Sequence, residues 1–465
     1  MSAIFTESTH GKRQLCYLGY RYSLKRKNQN GSEYWICVKC QTTATSYLDL
    51  SVIVREDHTH LPDETDKEVL QMRQNLKRKA IEESSPIDRI IEEAFHTINS
   101  QSQSNDLLIN MPSIATLKNT LQKQRRKTRP PVPKSIEQLP YPLPEAYCKT
   151  KQGESFLLYD GPLGGVRSLV FSSYNDMVYL SQHENWYGDG TFYTCPSIFY
   201  QMYSIHTYYD GISTPCIFAL LTGKNEQIYT DLFTVIFKKM FEFRLPIRLR
   251  TITIDFELAV YNVFTKNYPT VIVRGCLFHY GQSLFRKFVD LGLKTAYKND
   301  ENLREWFRSF AALSLLPLNH MLWGLQCLIH TRPVYPGIEE FLNYFHNTYG
   351  PLSKFPPHMY NHYRNILPRT INYLEGRHSR LKKHVNAPHP NIYVAIDLLQ
   401  KEQSLASISR LRDNVGAPTP KRRKNKVITD ECLIKLWQRY DEGRLDIPSF
   451  LKAAGLRYFQ RPPKS

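Results

Sequence analysis

The stretch Arg250-Thr-Ile-Thr-Ile-Asp-Phe-Glu-Leu-Ala259 constrains this chain most. Its β-branched run, Thr251 to Ile254, reads as a buried strand, and Asp255 stands at the carboxyl end, just before a helix expected over Leu258 to Tyr268. Ligands of open α/β sheets collect outside the carboxyl ends of strands. Two further acids can join from other elements. Asp189 lies between two glycines in Trp186-Tyr-Gly-Asp-Gly-Thr-Phe192, which permits close backbone approach. Glu375 lies in Arg369-Thr-Ile-Asn-Tyr-Leu-Glu-Gly-Arg-His-Ser-Arg-Leu381. Three acids on three elements point to a divalent-cation site.

Each acid also has a plainer reading: Asp189 as a turn residue, Asp255 as a helix cap, Glu375 as a solvated helix residue. The stripe Ile371, Leu374, His378, Leu381 and Val385 faces a core, with Glu375 about 100° from Leu374 at its edge. Glu257 is a rival third acid, since a strand continued through it would project Asp255 and Glu257 to the same side.

The periods around these acids follow an informative order. Asp189 to Tyr193 closes a first strand, and Gln201 to Tyr208 and Pro215 to Leu221 read as a second and a third, with a hairpin turn at Tyr209 to Ser213. Next come a helix over Glu226 to Phe243, the Asp255 strand and its helix, a strand over Thr270 to Arg274, and a helix over Tyr280 to Leu291. This predicts an α/β fold with a mixed sheet and helices on both sides. The order resembles the RNase H-like fold, in which the first and fourth strands are central neighbours, so Asp189 and Asp255 would face one another. Carboxylates that close repel unless cations lie between them, and a pair of Mg²⁺ or Mn²⁺ ions about 3.5–4 Å apart would serve phosphodiester chemistry.

The chain carries a net charge of +18 over 465 residues. Such a balance points to a polyanion, with nucleic acid the commonest. Absence of an 18-residue apolar run, and an opening Met1-Ser-Ala-Ile-Phe-Thr-Glu without signal-peptide character, predict a soluble intracellular protein with no membrane partner. Nine scattered cysteines fit reduced thiols and metal ligands better than a disulfide framework.

Residues 15 to 60 alternate as a small antiparallel sheet with an Asn30-Gly31 turn. So small a unit needs a staple. Cys37-x2-Cys40 followed by His58-x-His60 supplies the four ligands a tetrahedral Zn²⁺ prefers. With Tyr20, Tyr22, Tyr34 and Trp35 ahead of them, these residues resemble the FLYWCH-type zinc finger, a nucleic-acid or protein-binding module. Residues 63–139 read as a charged linker with helices over Lys67 to Ala80 and Ile87 to Ile98 and a break at Asn99 to Asn105. Its basic Arg125-Arg-Lys-Thr-Arg-Pro-Pro131 run could contact a DNA backbone.

Gly188-Asp-Gly-Thr-Phe192, Asp255-Phe-Glu-Leu-Ala259, Gly275-Cys-Leu-Phe-His-Tyr-Gly-Gln282 and Thr370-Ile-Asn-Tyr-Leu-Glu-Gly-Arg-His378 together resemble the Mutator-like element (MULE) transposases. The two resemblances together imply a finger over 1–62 and a catalytic RNase H-like domain over 140–400 with a helical insertion at about 292–368. A basic tail over 401–465 would complete the chain. The MULE resemblance further implies a metal-dependent DNA transposase with catalytic Asp189, Asp255 and Glu375. Zn would sit on Cys37, Cys40, His58 and His60, and Mg or Mn at the acids.

Cys276, His279 and His378 are expected to support the active site. Cys276-x2-His279 has no second ligand pair nearby, and a positioning role toward the Glu375 helix or DNA is expected instead. Arg377, Arg380, Lys382 and Lys383 are expected at DNA. Arg377 departs from the family, which usually has Trp after Glu-Gly. Pro420-Lys-Arg-Arg-Lys-Asn-Lys426 suits nuclear localisation or a backbone contact. DNA is the expected partner, with a homo-oligomer open and no small-molecule cofactor. The alternative is a domesticated, non-mobile DNA-binding regulator that keeps the catalytic domain as a scaffold.

Overall fold

A computed structural model describes residues 3–8, 12–83, 85–100, 111–209, 211–385, 387–418 and 424–459. The chain divides into two units, Met1–Val132 and Pro133–Ser465.

In the first unit, β1 (Ile4–Glu7), β2 (Arg13–Tyr17), β3 (Tyr20–Lys27), β4 (Glu33–Cys37), β5 (Thr43–Ser46) and β6 (Val52–Val54) form one antiparallel sheet in chain order. Strand alternation gathers Leu15, Tyr22, Trp35, Cys37 and Ala44 into one buried cluster. Trp35 Nε1–H donates to Ser46 Oγ at 2.8 Å, so the indole is buried with its donor satisfied. Gly31 takes the left-handed conformation (φ +80°) that the β3–β4 turn requires.

The segment expected to be a linker is packed. Helices α1 (Glu64–Glu82), α2 (Ile87–Ser100) and α3 (Ile114–Thr128) bury Leu76, Ala80, Ile90, Ile91, Leu117 and Leu121 between them. Arg125 donates to the carbonyls of Ala80 (2.9 Å), Glu83 (3.0 Å) and Ser85 (2.8 Å), and Arg129 to that of Glu83. These carbonyls lie at the end of α1, where the helix leaves acceptors unpaired. Two arginines of the run that could contact a DNA backbone therefore cap a helix. Of the expected break, residues 101–105 lie outside the described residues.

The second unit is built on β7 (Leu157–Leu163), β8 (Val166–Phe171), β9 (Asn185–Thr191), β10 (Gln201–Tyr209), β11 (Ile212–Leu221), β12 (Thr251–Ile254) and β13 (Ile272–Gly275), in the order β13-β12-β9-β10-β11-β8-β7. Pairing is parallel across β13, β12 and β9 and antiparallel elsewhere. The fold class is thus mixed α/β, as expected. The strands expected merely to lead in, β7 and β8, extend the same sheet.

One face of the sheet packs Trp186, Tyr203, Ile205 and Ile217 against Leu232, Phe233 and Ile236 of α5 (Glu226–Glu242) and Val260 and Phe264 of α6 (Leu258–Asn267); α4 (Tyr174–Ser181) precedes them. Another cluster joins Met202, Phe218 and Leu220 to Leu381 of α13 (Asn372–His384) and Ile396, Leu398 and Leu399 of α14 (Ile392–Asn414).

Helix α7 (Leu277–Asp290) begins three residues before the expected Tyr280, with Cys276 at its N-cap, so His279 falls in the first turn. The region expected as an insertion is helical: α8 (Lys294–Asn299), α9 (Glu301–Ala311), α10 (Met321–His330), α11 (Ile338–Tyr349) and α12 (Pro357–Tyr360).

The expected tail belongs to the core of that layer. Leu433 and Trp437 of α15 (Lys424–Asp441) and Phe450, Leu451 and Ala454 of α16 (Ile447–Tyr458) are buried with Phe310, Leu313 and Leu316. Trp437 Nε1–H donates to the Leu315 carbonyl at 2.9 Å. Basic residues mask this amphipathic pattern in the composition, but a sparse apolar stripe suffices to dock a helix. Residues 420–423 of the basic run lie outside the described residues. No described helix is long and apolar enough to cross a membrane.

Candidate functional site

In the first unit, ligand atoms of Cys37, Cys40, His58 and His60 lie within 4.8 Å of one another. Cys37 closes β4, and Cys40 follows in the turn to β5. Cys37 Sγ is 3.2 Å from His60 Nε2, and Cys40 Sγ is 3.3 Å from His58 Nδ1. The outward ring nitrogens are engaged as well. His60 Nδ1–H donates to the Leu61 carbonyl at 3.0 Å, so Nε2 is the ring nitrogen turned toward Cys37. His58 Nε2 meets the Tyr22 hydroxyl at 2.7 Å, and the Tyr20 ring stacks on His58 at 3.5 Å.

Such partners fix the tautomer and orientation of a metal-ligating imidazole. Burial works against the Cys40 thiolate, but hydrogen bonds from Thr42, Cys37 and His58 outweigh it and bring the thiol down to about 5. Burial pushes the Cys37 thiol up. Two sulfurs and two imidazole nitrogens at this closeness could hold zinc.

The second site forms at the carboxyl ends of β9 and β12. Thr253 pairs with Tyr187 in the parallel register, so two residues further Asp255 stands beside Asp189. Asp255 is half-buried, and its Oδ1 is a buried atom with no hydrogen-bond partner. Burial, then the neighbouring charges of Asp189 and Glu257, push its carboxyl up to about 7. Glu257 belongs to this group: it has extended backbone at the N-cap of α6 and accepts a hydrogen bond from Tyr229 Oη at 2.8 Å. Burial raises its carboxyl, and Tyr229 pulls the other way. The strand itself ends at Ile254 and the chain bends at Phe256, so Glu257 reaches this group from the N-cap of α6 and not by continuation of the strand.

Glu375 arrives from the first turn of α13 and is over a third exposed, with Oε1 3.0 Å from His279 Nε2. Burial opposes charge on His279, but Cys276 and Glu375 outweigh it and push the imidazole up to about 11. Cys276 Sγ accepts from the Ile371 amide at 3.3 Å, directly ahead of that helix. The Cys276-x2-His279 pair therefore touches the Glu375 element.

His378, one turn along, places Nδ1 3.2 Å from Asp189 Oδ2 and Nε2 3.2 Å from Ser204 Oγ. Ser204 in turn meets buried His206 at 3.0 Å. The helix stripe is as expected, with Ile371, Leu374, Leu381 and Val385 buried. Among the described residues, no three of the acids and histidines here bring ligand atoms as close together as in the Cys37 group. Imidazoles stand against two of the acids instead.

The four basic residues divide. Arg377 and Arg380 pair with Glu402 of α14, and Arg377 also donates to the Ser213 carbonyl. Lys382 and Lys383 are exposed.

Residues 185–283 match the MULE transposase domain. The match takes in Asp189, Asp255, Glu257, Cys276 and His279, and ends before Glu375 and His378. No curated protein matches the chain. Residues matching the MULE domain thus contribute β9 through the start of α7 and the central acid pair. Residues outside the match, on α13, contribute Glu375 and His378, one partner of each acid–histidine contact.

Proposed function

We propose that this protein is a transposase-derived DNA-processing enzyme, cutting and joining phosphodiesters with divalent metal at Asp189, Asp255 and Glu375. The observation that carries the reading is the buried, unpartnered Asp255 oxygen beside Asp189 at the carboxyl ends of parallel neighbours. A buried oxygen without a partner is costly, and a cation would satisfy it. The strand order β13-β12-β9-β10-β11 is the order expected of an RNase H-like sheet, which supports the same reading. Glu257 is positioned to serve as a further ligand.

When bound, Mg²⁺ or Mn²⁺ would activate the attacking oxygen and stabilise the leaving oxygen of a phosphodiester. The chain's own residues orient the acids. His378 steadies Asp189, Tyr229 holds Glu257, and His279 with Cys276 anchors the Glu375 helix. The zinc-bound amino-terminal sheet would add DNA affinity, and the exposed Lys382 and Lys383 would meet phosphates. DNA as partner and a nuclear location follow from this reading and from the net charge of +18.

A second reading, a non-mobile DNA-binding regulator, draws on the contacts that tie Glu375 to His279 and Asp189 to His378, because such pairs can persist as scaffold. Nicking of supercoiled plasmid in Mg²⁺ or Mn²⁺ separates the two. The catalytic reading requires nicking by the intact protein and its loss in Asp189→Asn; equal cutting by both would overturn it.

A further inference from the structure

Phe192 and Tyr200 flank the loop that leaves β9 and enters β10, at the end of the sheet where the acids gather. Both are large aromatics left 45% and 47% exposed. Their rings meet edge to face at 5.5 Å and 88°, so each holds the other in place. Phe192 is three residues beyond Asp189, about 10 Å along an extended chain.

Cationic groups lie at the same end of the sheet. Lys224 is exposed at the same end of the sheet, and its charge reaches both Asp255 and Glu257. Exposed Lys382 lies over the Tyr193 ring at 4.3 Å, next in sequence to Phe192, and exposed Lys383 follows it. With close to half of each residue open to solvent, the two rings keep π-surface on which a flat ligand could stack.

Resting on the DNA-processing reading above, we propose that Phe192 and Tyr200 form a stacking platform for an unpaired base of a DNA strand. The flanking phosphates would run over Lys224, Lys382 and Lys383 into the acidic cluster. Bases within a duplex keep their faces stacked on one another, so the platform selects single-stranded or frayed DNA. The exposed lysines supply sequence-independent attraction to either form.

The test is anisotropy of the full-length, zinc-loaded protein with a labelled oligothymidylate of about 20 nucleotides, longer than common site sizes, and with a blunt duplex of equal length, in Mg²⁺-free buffer. Phe192→Ala/Tyr200→Ala should weaken single-strand binding about tenfold or more, Phe192→Tyr should retain it, and duplex affinity should change less than about twofold. A single-strand loss below about twofold, or an equal loss on both DNAs, overturns the platform. As a second readout, Phe192→Trp should show emission quenched by oligothymidylate beyond that of the parent protein; unaltered emission also overturns it. The two readings fail separately. Equal nicking by the parent and Asp189→Asn removes the catalytic assignment, whereas unchanged single-strand binding by the double variant removes the platform.

Discussion

His378 Nδ1 lies 3.2 Å from Asp189 Oδ2, joining a helix outside the matched MULE domain to the strand at its centre. The contact is extended by Ser204 and His206 into the sheet, so the carboxylate is oriented from behind.

His378→Ala should therefore lower Mn²⁺ affinity about 10- to 100-fold, the usual cost of losing an outer partner of a ligand, with circular dichroism unchanged. Calorimetric titration with Mn²⁺ measures this directly. An affinity equal to the parent protein would mean that the histidine does not orient the acid.

In the amino-terminal sheet, Cys37→Ser or a strong chelator should abolish protease resistance of residues 15 to 60, because binding free energy of such a metal is folding free energy. Tyr22→Phe should be milder. Losing the hydroxyl against His58 Nε2 should weaken zinc about tenfold, read by competition with a chromophoric chelator.

Arg125→Ala should destabilise the three-helix segment by about 1.5–3 kcal/mol, since it takes the arginine donor from the carbonyls of Ala80 and Ser85 and leaves that of Glu83 to Arg129 alone. Arg125→Lys should not restore it, because an ammonium lacks the planar fork. Limited proteolysis over residues 64–128 reports the change. A loss of DNA affinity with no change in proteolysis would return this arginine to the backbone-contacting role expected from its sequence context.

His362 gives a pH dependence with a definite sign. It is fully buried, with Nε2–H donating to the Gly275 carbonyl at 2.8 Å and Nδ1 accepting from Asn365 Nδ2 at 3.0 Å. Burial first, with smaller contributions from Arg274 and Arg369, brings the imidazole down to about 3 despite the Gly275 bond. The unfolded chain takes up a proton near the ordinary value of about 6.5, whereas the folded one does not. This contribution is complete above about 6.5 and is lost as pH falls toward 3, by about 1.4 kcal/mol per unit. Denaturant melts at pH 7 and 5 should differ by about 2 kcal/mol from this group, and His362→Gln should flatten that difference.

Much of the sheet was legible because alternation and β-branched runs act locally: Thr251 to Ile254 is a strand, and Glu226 to Glu242 is a helix, within a residue of expectation. Order along the chain also carried the pairing of β9 with β12. Less legible were elements whose partners are remote. The helix around Leu76 looked solvated and that around Leu117 was not read at all, because only a narrow stripe of each is apolar. Trp437 and Phe450 looked like tail residues because nothing nearby in sequence announces the helical layer that buries them.

Residue types and spacing by themselves determined that two cysteines and two histidines could share a metal, and the order of elements, through its resemblance to a known fold, that the strands of two acids would be neighbours. Those are consequences of chain geometry over a few residues and of a sheet's order. Only the tertiary structure decided which imidazole stands against which acid, that Glu257 joins the cluster, and that Arg377 and Arg380 turn inward to Glu402. A side chain's partner depends on which distant surface is packed against it, and that is set by burial of the whole core.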